Sequence, residues 1–142
     1  MEKTIICLSG PKDKGKTTTI WKLYELLGGI NREWFPEVED SIVYHHHKIG
    51  CMSTGDPGSS QRESLEKLLK KGCDIVVTAS RTYGETEINL YDLARQYHYK
   101  VIRISLLYMY EKLGEPLYSL CHEENIKFIL TIIDKLIAGG VL

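Results

Sequence analysis

Gly10-Pro11-Lys12-Asp13-Lys14-Gly15-Lys16-Thr17 sets two glycines, a lysine and a hydroxyl at the spacing G-x-x-x-x-G-K-S/T. Each fixed position meets a need of phosphate chemistry. Gly10 and Gly15 admit backbone geometries and a close approach that a Cβ would block. Successive N–H groups around Asp13 to Thr17 can then curl around an anion. A helix starting near Gly15 adds the positive end of its dipole. Lys16 is the cation for the β- and γ-phosphates of a nucleotide, and the Thr17 hydroxyl is a ligand for Mg²⁺. Thr18 and the intervening Pro11, Lys12, Asp13 and Lys14 complete the candidate nucleotide-binding set.

Such a site needs a carboxylate at the end of a neighbouring strand, to hold Mg²⁺ through water or to orient the nucleophile. Two aspartates compete for that role. Asp74 precedes its strand, which puts it at the amino edge of the sheet, where turn chemistry explains it. Asp56 lies in Ser53-Thr54-Gly55-Asp56-Pro57-Gly58, after a strand and between glycines. It is the candidate metal or base carboxylate, although Asp-Pro is also a common turn pair. Arg81, in Ser80-Arg81-Thr82-Tyr83-Gly84-Glu85-Thr86, follows another strand. Its guanidinium could clamp a transferring phosphoryl group or an acidic acceptor. Thr82 or Thr86 could cap the next helix, and Glu85 suits its first turn.

Other residues invite chemistry less strongly. Trp34-Phe35-Pro36 is either an acceptor surface or aromatic packing under a loop. His45-His46-His47 looks like a metal site, yet consecutive strand residues point to opposite faces and cannot converge on one ion. The four cysteines, Cys7, Cys51, Cys73 and Cys121, form no CxxC and read as buried thiols in a reducing cytoplasm.

Elements must position these groups. Lys3–Ser9 is a nearly continuous apolar run, the pattern of a buried parallel strand. Lys16–Leu27 has Ile20, Leu23, Tyr24 and Leu27 at helical spacing, and Gly28-Gly29 stops it. Asn31–Asp40 reads as a loop. Ser41–His46 and Lys48–Ser53 read as two short strands of a hairpin. Ser60–Lys71 is an amphipathic helix with Leu65, Leu68 and Leu69 on one face. Asp74–Ala79 is a strand, Glu85–Tyr97 a helix with Ile88, Tyr91 and Ala94 in register, and Lys100–Leu107 a strand. Glu123–Ala138 is the last helix, burying Ile126, Ile129, Leu130, Ile133, Leu136 and Ile137. Phe128 and Ile132 fall off that stripe, which fits either a homodimer face or a helix wedged deep in the core. Strands separated by helices need crossovers, so the order predicts a mainly parallel sheet in a three-layer α/β/α fold. In such sheets ligands sit beyond the carboxyl ends of the strands.

The strand, phosphate loop and helix over Lys3 to Leu27 resemble the P-loop (Walker A) NTPase superfamily. That resemblance implies a P-loop NTPase fold, a bound nucleoside triphosphate and Mg²⁺. No N-K-x-D tetrapeptide occurs, so the usual guanine-reading motif is missing and ATP is the default nucleotide, with GTP the alternative. Pro11 stands where the deviant loop of MinD-like ATPases needs a lysine. Neither Gly29–Asp40 nor Leu107–His122 has the arginine-rich lid expected of a nucleoside-monophosphate kinase.

Bulk properties set the frame. A length of 142 residues predicts a single domain, large enough to bury about two-thirds of its unfolded surface. Eighteen Lys+Arg against nineteen Asp+Glu give a net charge of −1, so no global positive field gathers nucleic acid or anionic membrane. No run reaches the roughly eighteen apolar residues of a membrane span, and no signal peptide is evident. Three functions follow as expectations. The first is an ATP- and Mg²⁺-dependent phosphotransferase acting on a small-molecule acceptor, with Lys16, Asp56 and Arg81 catalytic. The second is a nucleotide hydrolase or switch acting on a protein partner. The third is a non-catalytic nucleotide-binding regulatory subunit.

Overall fold

The apolar run at the start of the chain forms strand β1, Thr4–Ser9, buried along its whole length. A strand alternates its side chains between two faces, so a strand buried on both faces must lie inside a sheet covered on both sides. A computed structural model describes residues 1–9, 16–30, 38–53, 61–80, 85–107 and 115–139, with backbone alone at 80, 85–87, 115, 116 and 118. After β1 come α1 (Lys16–Leu26), β2 (Glu39–Tyr44), β3 (His47–Met52), α2 (Gln61–Lys70), β4 (Ile75–Ser80), α3 (Glu85–Tyr97), β5 (Lys100–Ser105) and α4 (Glu115–Ile137). The five strands form one sheet in the order β2-β3-β4-β1-β5. Only β2 runs antiparallel, against β3.

The two faces of β1 divide the core. Ile6 and Leu8 pack with Ile20 and Leu23 of α1 and Ile129 and Ile133 of α4. Ile5 and Cys7 pack with Leu65 and Leu68 of α2 and Leu90 and Leu93 of α3. The fold is therefore α/β, with α1 and α4 on one face and α2 and α3 on the other. Gly28, at φ 110°, ends α1 in a conformation that L side chains rarely adopt.

Three expectations change. In α3, Ile88 and Tyr91 are exposed, and the buried stripe is Leu90, Leu93 and Ala94 with Tyr97 packed against it. Leu90, Leu93, Ala94 and Tyr97 stand at i, i+3, i+4 and i+7, a full helical stripe, whereas Ile88, Tyr91 and Ala94 make only part of one. Helix α4 starts at Glu115, eight residues before Glu123. Pro116 falls in its first turn, where a missing N–H breaks no helix bond, and Ser119–Glu124 carries no apolar stripe to announce a helix. Ile132 is buried in the core, while Phe128 is 56% exposed. Among the described residues, no helix is long and apolar enough to cross a membrane.

The histidine run is the third change. His45 and His46 are the turn between β2 and β3, and only His47 is in a strand. The alternation of strand residues is thus not what separates the three. Among the described residues, no group of three His, Cys, Asp or Glu could hold a metal. His45 and His46 sit at φ 46° and 67°. Two positive φ angles in a two-residue hairpin loop are the type I′ geometry that favours Asn-Gly. Replacing His45-His46 with Asn-Gly is expected to stabilise the chain by about 1–2 kcal/mol, because glycine removes the Cβ that opposes left-handed backbone at 46 and asparagine suits that backbone at 45. Urea unfolding checks this. An unchanged or lower midpoint contradicts it.

Candidate functional site

The sheet topology singles out one pair of strands. The chain leaves β1 through α1 toward β3, and leaves β4 through α3 toward β5. β1 and β4 are adjacent, yet their following helices cover opposite faces of the sheet. In open α/β sheets, ligands bind beyond the carboxyl ends of such a pair of strands. Ser9 is in register with both Ser80 and Ser105, so β4, β1 and β5 end level.

Lys16 is the first residue of α1, and its first turn reads Lys16-Thr17-Thr18-Thr19. It holds one cation, three hydroxyl side chains and no carboxylate, so no acidic side chain of that turn competes for the positive end of the helix. Lys16 and Thr17 are half-buried, Thr18 is exposed and Thr19 is buried. The Thr19 hydroxyl stands 3.5 Å from Nδ1 of His122 on α4. This donor set fits an anion carrying a hard divalent cation. Gly10, Pro11, Lys12, Asp13, Lys14, Gly15, Asp56 and Arg81 lie outside the described residues, as do Thr82, Trp34, Phe35 and Pro36. Glu85 and Thr86 open α3.

The strand order separates the two candidate partners of the phosphate loop. β4, whose last residue immediately precedes Arg81, is the direct neighbour of β1. β3, which leads to Asp56, is two strand spacings from β1, about 10 Å. Its pairing with β4 ends at Cys51, opposite Val77, level with Ile6. Ser53, the last described residue before 54–60, is held by two hydrogen bonds. Ser53 N–H donates to the Val38 carbonyl at 3.0 Å, and Val38 N–H donates to Ser53 Oγ at 2.9 Å. Beyond it, the Ser64 hydroxyl of α2 donates to Glu39 Oε2 at 3.0 Å. Asp74 sits at the amino edge, as its position before β4 predicts. Its carboxylate accepts from Lys48 N–H at 3.1 Å and lies 3.4 Å from Nδ1 of His47.

Two residues at the carboxyl edge escape a reading of motifs. Arg103 of β5 donates from Nη2 to Ser9 Oγ at 3.1 Å, at the start of the loop. Asn125 of α4 is buried and clamps the strand that leaves β5. Its Oδ1 accepts from Leu107 N–H at 2.8 Å, and its Nδ2 donates to the Leu107 carbonyl at 3.0 Å. Both carry a signal in the sequence. Arg103 interrupts the apolar run KVIRISLL, and Asn125 stands one helical turn before Ile129 on a buried stripe.

Groups with shifted titration stand away from this edge. Burial pushes the Cys51 and Cys73 thiols up. Hydrogen bonds to Asp134 and Glu66 raise Tyr44 and Tyr97. Tyr99, just before β5, is pushed up to about 12 by burial, and its hydroxyl donates to the Cys73 carbonyl at 2.6 Å. A folded pKa above the unfolded value holds a stability that is complete below pH 10 and is lost as pH climbs through 12. Tyr99→Phe is therefore expected to show a shallower fall in urea midpoint between pH 10 and 12 than the unaltered chain. An equal or steeper fall contradicts the assignment.

No protein-family model matches the chain, and no curated protein matches its sequence. A solved structure described as the crystal structure of APE1195 is similar over 99% of this chain and 77% of that one, at 15% identity and a TM-score of 0.38. At that similarity it bears on neither fold family nor function.

Proposed function

We propose that the chain binds a nucleoside triphosphate with Mg²⁺ and transfers its γ-phosphoryl group to a small-molecule acceptor, ATP being the donor and GTP the alternative. One observation carries the reading. The sequence Gly10-x-x-x-x-Gly15-Lys16-Thr17 joins the end of a central parallel strand to the first turn of α1, at the carboxyl edge of the sheet. A P-loop fold is part of the same proposal. Amides of the loop and the N-terminus of α1 hold the phosphates. Lys16 neutralises the charge that builds on the γ-phosphoryl oxygens. Thr17 and Asp56 would hold the Mg²⁺, which would supply positive charge to the phosphates. Arg81 donates to the transferring group from the neighbouring strand end.

A second reading, a hydrolase or switch, is favoured by a different observation. Helix α4 starts at Glu115, so only 106–114 remains between β5 and α4 to cover an acceptor. A phosphate-release assay on ATP and on GTP, with and without a panel of metabolites, separates the readings. A phosphotransferase releases little phosphate alone and consumes ATP when its acceptor is supplied. A hydrolase releases phosphate without one. A non-catalytic regulatory subunit binds the nucleotide and does neither.

A further inference from the structure

β3, β4, β1 and β5 run parallel, so their starts line one edge of the sheet, opposite the edge at which α1 begins with Lys16. Three backbone bonds tie those starts together. Asp74 N–H donates to the Lys48 carbonyl at 2.8 Å, Thr4 N–H to the Asp74 carbonyl at 3.0 Å, and Lys100 N–H to the Lys3 carbonyl at 2.9 Å. The edge is therefore level from β3 to β5, a width of about 15 Å. The described segments that enter these strands, 1–3, 47–48, 70–74 and 98–100, hold Lys3, Lys48, Lys70, Lys71 and Lys100 against Glu2 and Asp74. A chain of net charge −1 thus gathers positive charge at one end.

Local structure explains only part of this concentration. Lys70 and Lys71 stand at the end of α2 and suit the negative end of its dipole. Lys3, Lys48 and Lys100 enter strands, where lysine is disfavoured and no helix end is served. Lys3, Lys70, Lys71 and Lys100 are exposed, and Lys48 is half-buried. Two of the ammonium groups are held in place. Lys48 Nζ donates to the Lys71 carbonyl at 3.2 Å, and Lys3 Nζ lies 5.7 Å from the centre of the Tyr99 ring. Apolar side chains share this end. Met1 is exposed, and so is Leu26, where α1 completes its return from the opposite edge.

We propose that this edge is a docking surface for an anionic lipid bilayer, which the chain binds at its surface without crossing it. A level row of ammonium groups fits the negative potential of a headgroup plane, and exposed aliphatic side chains beside it fit the boundary between headgroups and acyl chains. A nucleic acid would use neither Met1 nor Leu26, and the Tyr99 ring is buried, away from any base. The six-residue strands set the carboxyl edge, and with it Lys16, about 20 Å from the bound plane. The proposal stands apart from the nucleotide reading, and docking by this edge turns the phosphate loop away from the lipid.

Sedimentation of the unaltered chain with phosphatidylcholine vesicles, with and without phosphatidylserine, tests this at low ionic strength. Binding is expected only where phosphatidylserine is present, and it is expected to weaken as added salt screens the charges. Lys71→Gln with Lys100→Gln removes two exposed charges from the edge and leaves the core alone. That pair is expected to weaken binding at least about tenfold, from roughly fivefold per lysine at an anionic surface. Lys71→Arg with Lys100→Arg is expected to bind as the unaltered chain does. So is Arg62→Gln with Lys127→Gln, which removes two exposed charges elsewhere. Urea unfolding checks that each variant is folded. Sedimentation that does not depend on phosphatidylserine overturns the proposal. So does loss of binding in the arginine pair, or a loss in the Arg62 and Lys127 pair equal to that in the glutamine pair at the edge. Duplex DNA or polyglutamate bound by a chain that ignores the vesicles assigns the edge to another polyanion and overturns the bilayer. The nucleotide reading survives any of these outcomes.

Discussion

Replacing Lys16 with alanine is expected to weaken binding of Mg²⁺ and ATP by at least about 100-fold while the chain stays folded. Lys16 opens α1 and is half-buried, so its removal deletes a charge without opening the core. A hydrogen bond from a charged group contributes about 1.5–3 kcal/mol. Truncating one partner of a buried charge pair costs about 2–5 kcal/mol. Each 1.4 kcal/mol is about tenfold in affinity, so a loss near 3 kcal/mol reaches about 100-fold. Calorimetric titration reads the affinity, and urea unfolding confirms that the fold survives. An affinity within about threefold of the unaltered chain removes Lys16 from the phosphate site. The remaining first-turn residues, Thr17, Thr18 and Thr19, would then have no cation beside them in α1 before Lys22.

The second large effect belongs to Asp56. Asp56→Asn is expected to leave ATP affinity within about threefold and to lower Mg²⁺-dependent turnover by roughly 10²–10³, the range seen when one preorganised charge-stabilising group is removed. The substitution keeps shape and removes the negative charge that holds the metal or orients the nucleophile. The strand order bears on this prediction. Asp56 follows β3, and β4 stands between β3 and β1. The end of β3 is therefore two strand spacings, about 10 Å, from β1, and the Ser53–Val38 and Ser64–Glu39 bonds hold the described residues that precede and follow 54–60. Full turnover in Asp56→Asn moves the carboxylate role to another acid, with Glu85 or Glu39 next in line.

Local pattern made most of the fold legible. β1 is a buried apolar run, α2 has a leucine stripe, and α1 ends at glycines, each a signal contained in a few residues. The hairpin was legible as two strands but not in its bounds, because three consecutive histidines carry no turn signature and the left-handed backbone of His45 and His46 is imposed by the pairing of β2 with β3. The stripe of α3 was ambiguous because two sets of apolar residues share helical spacing, and packing against the sheet chose Leu90 and Leu93. The start of α4 was hidden because none of the described side chains of its first two turns is buried.

The candidate site divides in the same way. Lys16 and Thr17 are contiguous with their motif and could be read directly. The row that sets Arg103 beside Cys7, and the reach from Arg103 to Ser9, joins residues more than ninety positions apart in the chain. Only the strand order brings them together. That β4 rather than β3 flanks β1 is likewise a property of the sheet, since chain order does not state spatial order.

The segment from Gly10 to Thr17 is proposed to hold a nucleoside triphosphate. This is tested most directly by calorimetric titration of the unaltered chain with a non-hydrolysable ATP analogue, with and without Mg²⁺. The expected result is saturable binding of one analogue per chain, strengthened by Mg²⁺ and displaced by ATP. The absence of saturable binding of both the ATP analogue and its GTP counterpart, in a chain shown to be folded, would contradict it.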